Sequence, residues 1–364
     1  HKGAVYPKTE IKINAVEQLV ENEDSNYEII ENLDNKKCVA TKESGSVTFS
    51  FDVAQAGFYY MKIVYYPTLG KGAQIERSLY IDGELPFEEA RSIIFHRRWV
   101  DVGEVEYSVT GNEYRREKEE QPEWDTFTVK SNGSNLDEYL KFYFSSGTHK
   151  ITLKSVNEPM AISEIILCQL EEPKPYQEVL KGYRAAGYKE VPASIEPIKV
   201  QAERPSAKSS ATLYALEDRT SPMNEPFDIS RIVLNTIGGR GWSAQGEWLE
   251  WKINVKTSEL YRLSIRAKQN YNSGSFSTRS VWIDGKLPFK EAANIKFRFS
   301  NQWQLLTPQD ENGDDYLFYL SEGEHTIRLE VALGDYSEIL RMVANSVDEL
   351  SSVYRKVIML TGSM

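Results

Sequence analysis

The residues of this chain that could do chemistry are aromatic and polar side chains in predicted loops and at strand ends. A ligand with apolar faces and a rim of hydroxyl groups, such as a sugar, needs an exposed aromatic ring beside hydrogen-bonding side chains. In the C-terminal half the candidates are Trp242, Gln269, Asn270, Tyr271, Asn272, Arg298 and Trp303. In the N-terminal half they are Tyr66, Arg97, Arg98, Trp99 and Trp124. The sequence predicts ligand binding through these side chains.

Carboxylate pairs that could be catalytic are present, but a structural role in turns explains them better. A glycosidase needs two carboxylates across a cleft, and Asp82 with Glu89, or Asp284 with Glu291, are examples of such pairs. Both aspartates precede a glycine in a predicted turn, which accounts for them without catalysis. The histidines show no triad or metal spacing. We therefore predict that the chain is not an enzyme.

The elements that position these residues follow from an internal repeat. Residues 77–95, RSLYIDGELPFEEARSIIF, recur as residues 279–297, RSVWIDGKLPFKEAANIKF. Each copy alternates between two faces and then makes an Asp-Gly turn, which is the strongest short-range signal of a β-hairpin. The arginine that opens each copy is predicted to pair with that copy's glutamate. The chain is thus a tandem duplication of β units.

Further strands are predicted in matching places of the two copies. Residues 46–53 align with 248–255, and residues 58–65 align with 260–267. The predicted first strands are residues 11–15 and 198–202, and the predicted last apolar segments are residues 162–168 and 339–343. Short aromatic-rich strands separated by turn residues favour a β-sandwich.

The first copy carries extra residues that the second lacks. They lie within residues 101–137 and include the charged run Asn112–Trp124, NEYRREKEEQPEW. Loops of this length in compact domains are often functional. A solvated surface extension is the alternative, and the sequence leaves both open.

These observations predict an all-β protein of two sandwich modules. The first module spans residues 9–170 and the second spans 196–345. Residues 171–195 form a linker with a short helix, indicated by the spacing of Tyr176, Val179, Leu180 and Tyr183. A capping-box signature at Ser346 predicts a C-terminal helix over residues 346–364, leading to a further domain.

Composition excludes several function classes. The 364 residues carry a formal net charge of −11, which argues against nucleic acid or an anionic membrane surface as a partner. An apolar run of transmembrane length is absent, so direct membrane insertion is not expected. Cys38 and Cys168 lack metal or redox spacing and are predicted to be buried free thiols, with a disulfide as the alternative.

Several motifs carry a resemblance to known families. The pattern IDGxxPFxEA, the opening QAE at residues 201–203, GEWLEWKINV and YLSEGEHTIRLEVALG resemble galactose-binding-fold modules related to family 6 and family 35 carbohydrate-binding modules. NTIGGRGWSAQGEWLEW, RSVWIDGKLPF and VYRKVIMLTG are similar to the N-terminal region of large secreted solute-binding lipoproteins of Gram-positive carbohydrate ABC importers. The resemblance implies two jelly-roll sandwiches, no catalysis and an extracellular or cell-surface location on a Gram-positive bacterium.

The resemblance also implies a structural calcium ion. A glutamate on the first strand is a calcium ligand in those carbohydrate-binding modules, and Glu203 stands at that place in the second module. The first module has Val16 there instead. Calcium takes six or more oxygen ligands, so Glu203 would need partners from its loops.

The hypothesis from sequence is a non-catalytic carbohydrate-binding region of a secreted or lipid-anchored protein, linked to glycan capture or uptake. Its expected partners are an oligo- or polysaccharide and the C-terminal continuation of the chain. One alternative is a structural spacer without ligand that positions a partner domain. Another is a set of accessory domains of a glycoside hydrolase.

Overall fold

The computed structural model describes residues 5–131, 139–192 and 194–362. It is an all-β protein with two α-helices in the described part. The predicted linker helix is confirmed as α1 (Tyr176–Ala185), and the C-terminal helix is α2 (Tyr336–Thr361). Neither is long and apolar enough to cross a membrane.

The described residues of the first repeat form fourteen strands. They are β1 (Ile11–Asn14), β2 (Leu19–Val20), β3 (Tyr27–Leu33), β4 (Lys36–Thr41), β5 (Ser46–Val53), β6 (Gly57–Pro67), β7 (Ile75–Ile81), β8 (Ile93–Phe95), β9 (Trp99–Val102), β10 (Glu117–Glu120), β11 (Asp125–Thr128), β12 (Lys141–Phe144), β13 (Gly147–Asn157) and β14 (Met160–Cys168).

The first module is a sandwich of two antiparallel sheets. One sheet has the order β11-β6-β14-β4-β3, with β1 added to β14 and β12 added to β6. The other has the order β2-β5-β13-β7-β8. Alternate residues of both sheets meet in the core, where Phe49, Met61, Ile63, Leu153 and Ile165 are all 0% exposed.

The remaining strands belong to the second repeat. They are β15 (Ala207–Lys208), β16 (Ala215–Leu216), β17 (Thr236–Ile237), β18 (Trp248–Val255), β19 (Glu259–Arg262), β20 (Ile265–Ala267), β21 (Phe276–Ile283), β22 (Ile295–Arg298), β23 (Gln304–Leu306), β24 (Leu317–Leu320) and β25 (Gly323–Ala332).

The second module shares its main sheet with the first repeat. That sheet has the order β10-β9-β15-β18-β25-β21-β22, so β9 and β10 extend the sheet of the other module. The facing layer consists of two short pairs, β19-β24 and β20-β23. Tyr176 and Leu180 of α1 are buried in this module's core.

The charged excursion of the first repeat lies against the second module. Strand β10 comes from it, and the Glu113 amide donates to the carbonyl of Ile232 at 2.9 Å. The Arg115 guanidinium lies 3.9 Å from the ring centre of Tyr214. This segment therefore connects the two repeats, a role that neither the prediction of a functional loop nor that of a surface extension specified.

One strand predicted for the second repeat does not form, and its predicted last apolar segment is helical. Residues 198–202 have no strand structure, although their counterpart β1 does. Residues 339–343 lie inside α2, which begins at Tyr336 and not at Ser346. Strand β1 pairs with β14 in the first module, and the second module has no strand in the place of β14 among the described residues. The first strand therefore lacks the partner on which it would form.

Candidate functional site

The repeated Asp-Gly turn brings a serine, a histidine and an aspartate together in both modules. In the first, His149 Nδ1 lies 2.7 Å from Asp82 Oδ2, and its Nε2 lies 3.2 Å from Ser145 Oγ. In the second, His325 Nδ1 lies 2.6 Å from Asp284 Oδ2. The sequence did not reveal this arrangement, because strand pairing joins residues far apart in the chain.

Hydrogen bonding shows how the histidine of the second module fastens its turn. The Nε2 atom of His325 is 2.8 Å from the backbone carbonyl of Ser321, which can only accept, so this nitrogen must donate. Nδ1 faces the Asp284 carboxylate at the same time. Burial lowers the pKa of His325, but the hydrogen bonds to Asp284 and Ser321 outweigh it and raise the pKa. A ring that donates from both nitrogens cannot accept a proton from the serine.

Asp82 and Asp284 have positive φ angles of 53° and 49°, as the Asp-Gly turn requires. The Oδ1 atom of Asp82 also accepts from the amide of Lys150 at 2.8 Å. The Oδ1 atom of Asp284 accepts from the amide of Thr326 at 2.9 Å. These contacts tie the turn to the neighbouring strand, which is a structural role.

The arginines that open the repeated motif do not pair with Glu89 and Glu291, so that prediction is wrong. Arg77 donates to the carbonyls of Glu76 and Asn157 and to Thr41 Oγ1. Arg279 donates to the carbonyls of Thr278 and Trp242. Backbone oxygens next to the motif compete successfully for both guanidinium groups. Glu291 instead accepts from the amide of Tyr176, at the start of α1.

Arg97 lies inside the first module. Its side chain is 1% exposed and pairs with Glu158 at 2.8 Å and with Glu120 at 2.5 Å. It also donates to the carbonyls of Thr68 and Ala73. Arg97 thus joins three loops of the module, and its guanidinium is occupied within the protein.

Arg98 and Trp99 lie between the two modules. Arg98 pairs with Glu250 of β18 at 3.1 Å. Trp99 pairs with Lys208 in the shared sheet, and its ring covers Gly72. Both residues join the repeats, which limits their access to a ligand.

Tyr66 and Trp124 come together on the outer face of the first module's sheet. Their ring centres are 5.4 Å apart, and both rings are half-buried. The indole nitrogen of Trp124 donates to the carbonyl of Leu33 at 2.9 Å. The small side chains of Ala40 and Ala161 pack against this pair. This aromatic pair is the surface of the first module most suited to stacking on a ligand.

Trp242 of the second module is held within its own loop. Its indole nitrogen donates to the carbonyl of Glu247 at 3.1 Å, and the Arg279 guanidinium lies 4.3 Å from its ring centre. The ring also covers Gly238, whose φ of 111° suits glycine. Trp242 packs here against the core of the second module.

Trp303 belongs to a cluster with Asp218 and Lys268, and of these three residues only Trp303 was a candidate from the sequence. Its indole nitrogen donates to Asp218 at 3.1 Å, and Lys268 lies 5.1 Å from its ring centre while also pairing with Asp218. Burial raises the pKa of Asp218, but hydrogen bonds from Lys268, Thr220 and Trp303 outweigh it and lower the pKa to about 2. Asp218 is ionised at neutral pH and fixes the half-buried indole.

The loop at residues 269–272 is ordered by its first residue. The buried Gln269 accepts through Oε1 from the amides of Tyr271 and Asn272, both at 3.0 Å, while its Nε2 is buried without a partner. This turn leaves the Tyr271 side chain 55% exposed, with Arg240 5.3 Å from its ring centre. An aromatic ring is thereby presented to solvent on a fixed loop.

The other polar candidates lie around this loop. Asn270, Asn272 and Arg298 are exposed. The amide of Ser300 donates to the carbonyl of Gln269 at 2.7 Å, which ties the segment leading to Trp303 to the Tyr271 loop. We call the group of Arg240, Gln269, Asn270, Tyr271, Asn272, Arg298 and Trp303 the loop surface. Arg240 was not a candidate from sequence, although its place in the Gly238–Gly241 run was a signal.

The residues around Glu203 do not fit a calcium site. Glu203 is 4% exposed, burial raises its pKa, and its Oε1 atom has no hydrogen-bond partner. One orphaned oxygen suits a cation, but Arg204 lies 3.8 Å from it and also 3.9 Å from Glu113. In the described ranges we find no group of three or more His, Cys, Asp or Glu residues that could hold a metal. A guanidinium therefore supplies the positive charge here.

Comparisons with known proteins give matches among solved structures. The chain is similar to a family 35 carbohydrate-binding module from Clostridium thermocellum, at 13% identity and TM-score 0.28, over 44% of this chain and 99% of that one. It is also similar to a C-terminal family 6 module of a laminarinase from Zobellia galactanivorans, at 14% identity and TM-score 0.26, over 44% and 100%. No family model and no curated protein matches the chain. Likeness at this level says nothing about a ligand of this protein.

Proposed function

We propose that this chain is a non-catalytic carbohydrate-binding region of a secreted or lipid-anchored protein that takes part in glycan capture or uptake. The observation that carries the proposal is the exposed Tyr271 ring on the ordered Gln269 loop. Sugar rings stack their C–H faces on such a ring, while neighbouring polar groups bind their hydroxyls. Arg240, Asn270 and Asn272 supply donors and acceptors beside it.

Several further features support binding without catalysis. Both ring nitrogens of each histidine in the Asp-Gly turns face groups of the protein, an aspartate on one side and a backbone carbonyl on the other. Asp218, held ionised beside Lys268 and Trp303, and the buried donor of Gln269 add polar groups near the same loops. Oligo- and polysaccharides expose many hydroxyl groups, so a shallow surface with an aromatic centre suits them.

Affinity electrophoresis in gels that contain soluble polysaccharides, with a glycan array, tests this function. Tyr271→Ala should weaken binding about fivefold or more, because an aromatic stacking surface contributes about 1 kcal/mol or more. Tyr107→Ala is the matched control, since Tyr107 is 57% exposed in the first repeat. If Tyr271→Ala binds like the parent protein while Trp124→Ala does not, the ligand lies on the Tyr66–Trp124 pair instead.

A structural spacer is the second candidate function. The shared seven-stranded sheet and the ion pairs between the repeats favour it, because they hold the modules in one arrangement. A folded protein that binds no glycan on the array would support the spacer and overturn carbohydrate binding. An accessory role beside a glycoside hydrolase would use the same loop surface.

A further inference from the structure

The second module has an open sheet edge. In the first module β6 is continuous and pairs with β14 on one side and with β11 and β12 on the other. Its counterpart in the second module is broken into β19 and β20, which pair with β24 and β23. Within the described residues, the edge of β20 away from β23 has no strand beside it. Beside β19, the linker residues Lys189 and Val191 form backbone hydrogen bonds with Leu260. The described residues therefore leave the β20 part of this edge without a counterpart of β14.

Apolar side chains near this edge are more exposed than their counterparts in the first module. Leu263 and Ile265 are half-buried, whereas their counterparts Met61 and Ile63 are 0% exposed. Ile198, in the predicted strand that does not form, is 43% exposed. A strand with two inward apolar side chains would cover these positions.

The end of α2 has a sequence that matches this open edge. Residues 356–360, KVIML, have the same pattern of one charged and four apolar residues as residues 164–168, EIILC, in the strand that fills the equivalent place of the first module. In the helix these residues have no packing partner: Val357 is 39% exposed and Met359 is 85% exposed. The β-branched Val353, Val357 and Ile358 favour a strand over a helix.

We infer that residues 353–360 add to the open edge of the second module as its missing β-strand. The register of the first module, in which Ile13 pairs with Ile165 and Ile165 with Ile63, assigns the contacts. Val357 then lies between Val200 and Ile265, and Met359 lies between Ile198 and Leu263. In the first module β14 has an irregularity between Ile162 and Glu164. If the new strand keeps it, the inward residues are Tyr354, Val357 and Met359, all apolar, and Arg355 does not point inward. A shift by one residue would turn Lys356 inward instead, so the apolar pattern favours this register.

The chain between β25 and the new strand can reverse its direction. The capping-box sequence at Ser346–Glu349 lies inside α2, and Ser346 there bonds back to the carbonyl of Met342. Such a sequence is typical of a helix start. A break at Ser346 would fold α2 into a helical hairpin whose second arm returns toward the sheet.

Thermal unfolding of Met359→Asp tests the inference. Met359 lies on the helix surface, where a charge is nearly neutral, but inside the sandwich if the strand forms. We expect the unfolding midpoint to fall by about 5 °C or more. Leu350→Asp is the matched control, because Leu350 is 69% exposed in α2 and lies outside the proposed strand; it should shift the midpoint by less than about 1 °C. Equal, small shifts in both variants would overturn the strand.

Disulfide trapping tests the register independently. The first-module pair Lys12–Ile166 predicts that Lys199→Cys and Ile358→Cys face each other on the outer surface. This pair should oxidise about tenfold faster than Lys199→Cys with Val357→Cys, whose side chains point to opposite faces. Peptide mapping separates the new bond from the buried Cys38 and Cys168. Equal rates, or a bond found only between two chains, would contradict an occupant from the same chain.

Discussion

In the first module the chain leaves β13 through a turn at Glu158 and returns as β14, in the middle of its sheet, whereas in the second it leaves β25 and continues as α2. The repeated turns are the same in both modules: the His–Asp distances are 2.7 Å and 2.6 Å. The cores differ. Leu153 and Phe95 are 0% exposed, but their counterparts Leu329 and Phe297 are 7% and 9% exposed.

This comparison separates local from non-local structure. The Asp-Gly turn needs only its own residues and the adjacent strand, so it survives in a module whose facing layer is incomplete. Core burial depends on β14, which contacts β1, β4 and β6 at once. In the described residues of the second module, which lack that strand, residues 198–202 form no strand, the counterpart of β6 is two short pieces and the core is more exposed.

The largest loss of stability is expected at the turn between β13 and β14, which the described residues of the second module lack. Arg97→Met leaves the carboxylate of Glu158, which is 1% exposed and lies at a turn with φ of 61°, without its guanidinium partner. Among the described residues, only the amides of Lys71 and Ala73 still donate to it. Breaking a buried ion pair in this way costs about 3–5 kcal/mol of unfolding free energy. Urea unfolding followed by tryptophan fluorescence measures it.

The control for Arg97 is Arg91→Met. Arg91 pairs with Glu88, but both side chains are exposed, so little change in the unfolding free energy is expected. The double variant Arg97→Met with Glu158→Gln should recover part of the loss, because it removes the buried charge. If Arg97→Met is no more destabilising than Arg91→Met, the turn is not held by this pair.

The second-largest loss of stability is expected at the junction between the modules. Glu250, which is 5% exposed, pairs with Arg98 of the first repeat and with Arg328 of β25. Glu250→Gln should destabilise the second module by about 2 kcal/mol and separate its unfolding from that of the first. Calorimetry would then show two transitions in place of overlapping ones.

Glu324→Gln is the control for the junction. Glu324 pairs with Lys252 on the same β18–β25 ladder, but both side chains are more than half exposed. In calorimetry, Glu324→Gln should change the unfolding free energy by less than about 0.5 kcal/mol. Two transitions in this variant as well would mean that the junction ion pairs do not couple the modules.

The sequence predicted what depends on short stretches. The alternation in residues 46–53 and the Asp-Gly turns appear as β5 and the turns at Asp82 and Asp284. It failed for residues 198–202, whose strand depends on a partner far along the chain. The shared sheet was also beyond reach, because nothing in the excursion at Asn112–Trp124 shows which surface it meets.

The candidate site residues also divide into those that the sequence identified and those that only the structure shows. The polar and aromatic composition pointed to the Tyr271 loop, and the structure adds Arg240 and Asp218 from distant segments. Arg97 has the residue type of a ligand-binding group, but burial decides its role. Residue type and loop position therefore identify candidates, while only the packing around them separates binding groups from internal ion pairs.

The smallest effect is the pH dependence of the turn in the second module. Hydrogen bonds to Asp284 and Ser321 outweigh burial and raise the pKa of His325 above 6.5. A raised pKa in the folded state means that the protonated ring stabilises the module fully below pH 6.5, and that this stability is lost as the pH rises through the folded pKa. The midpoint of the second module should therefore fall by less than about 3 °C from pH 6 to pH 8. His325→Gln should flatten this slope, and a slope that persists in the variant would assign it to another group.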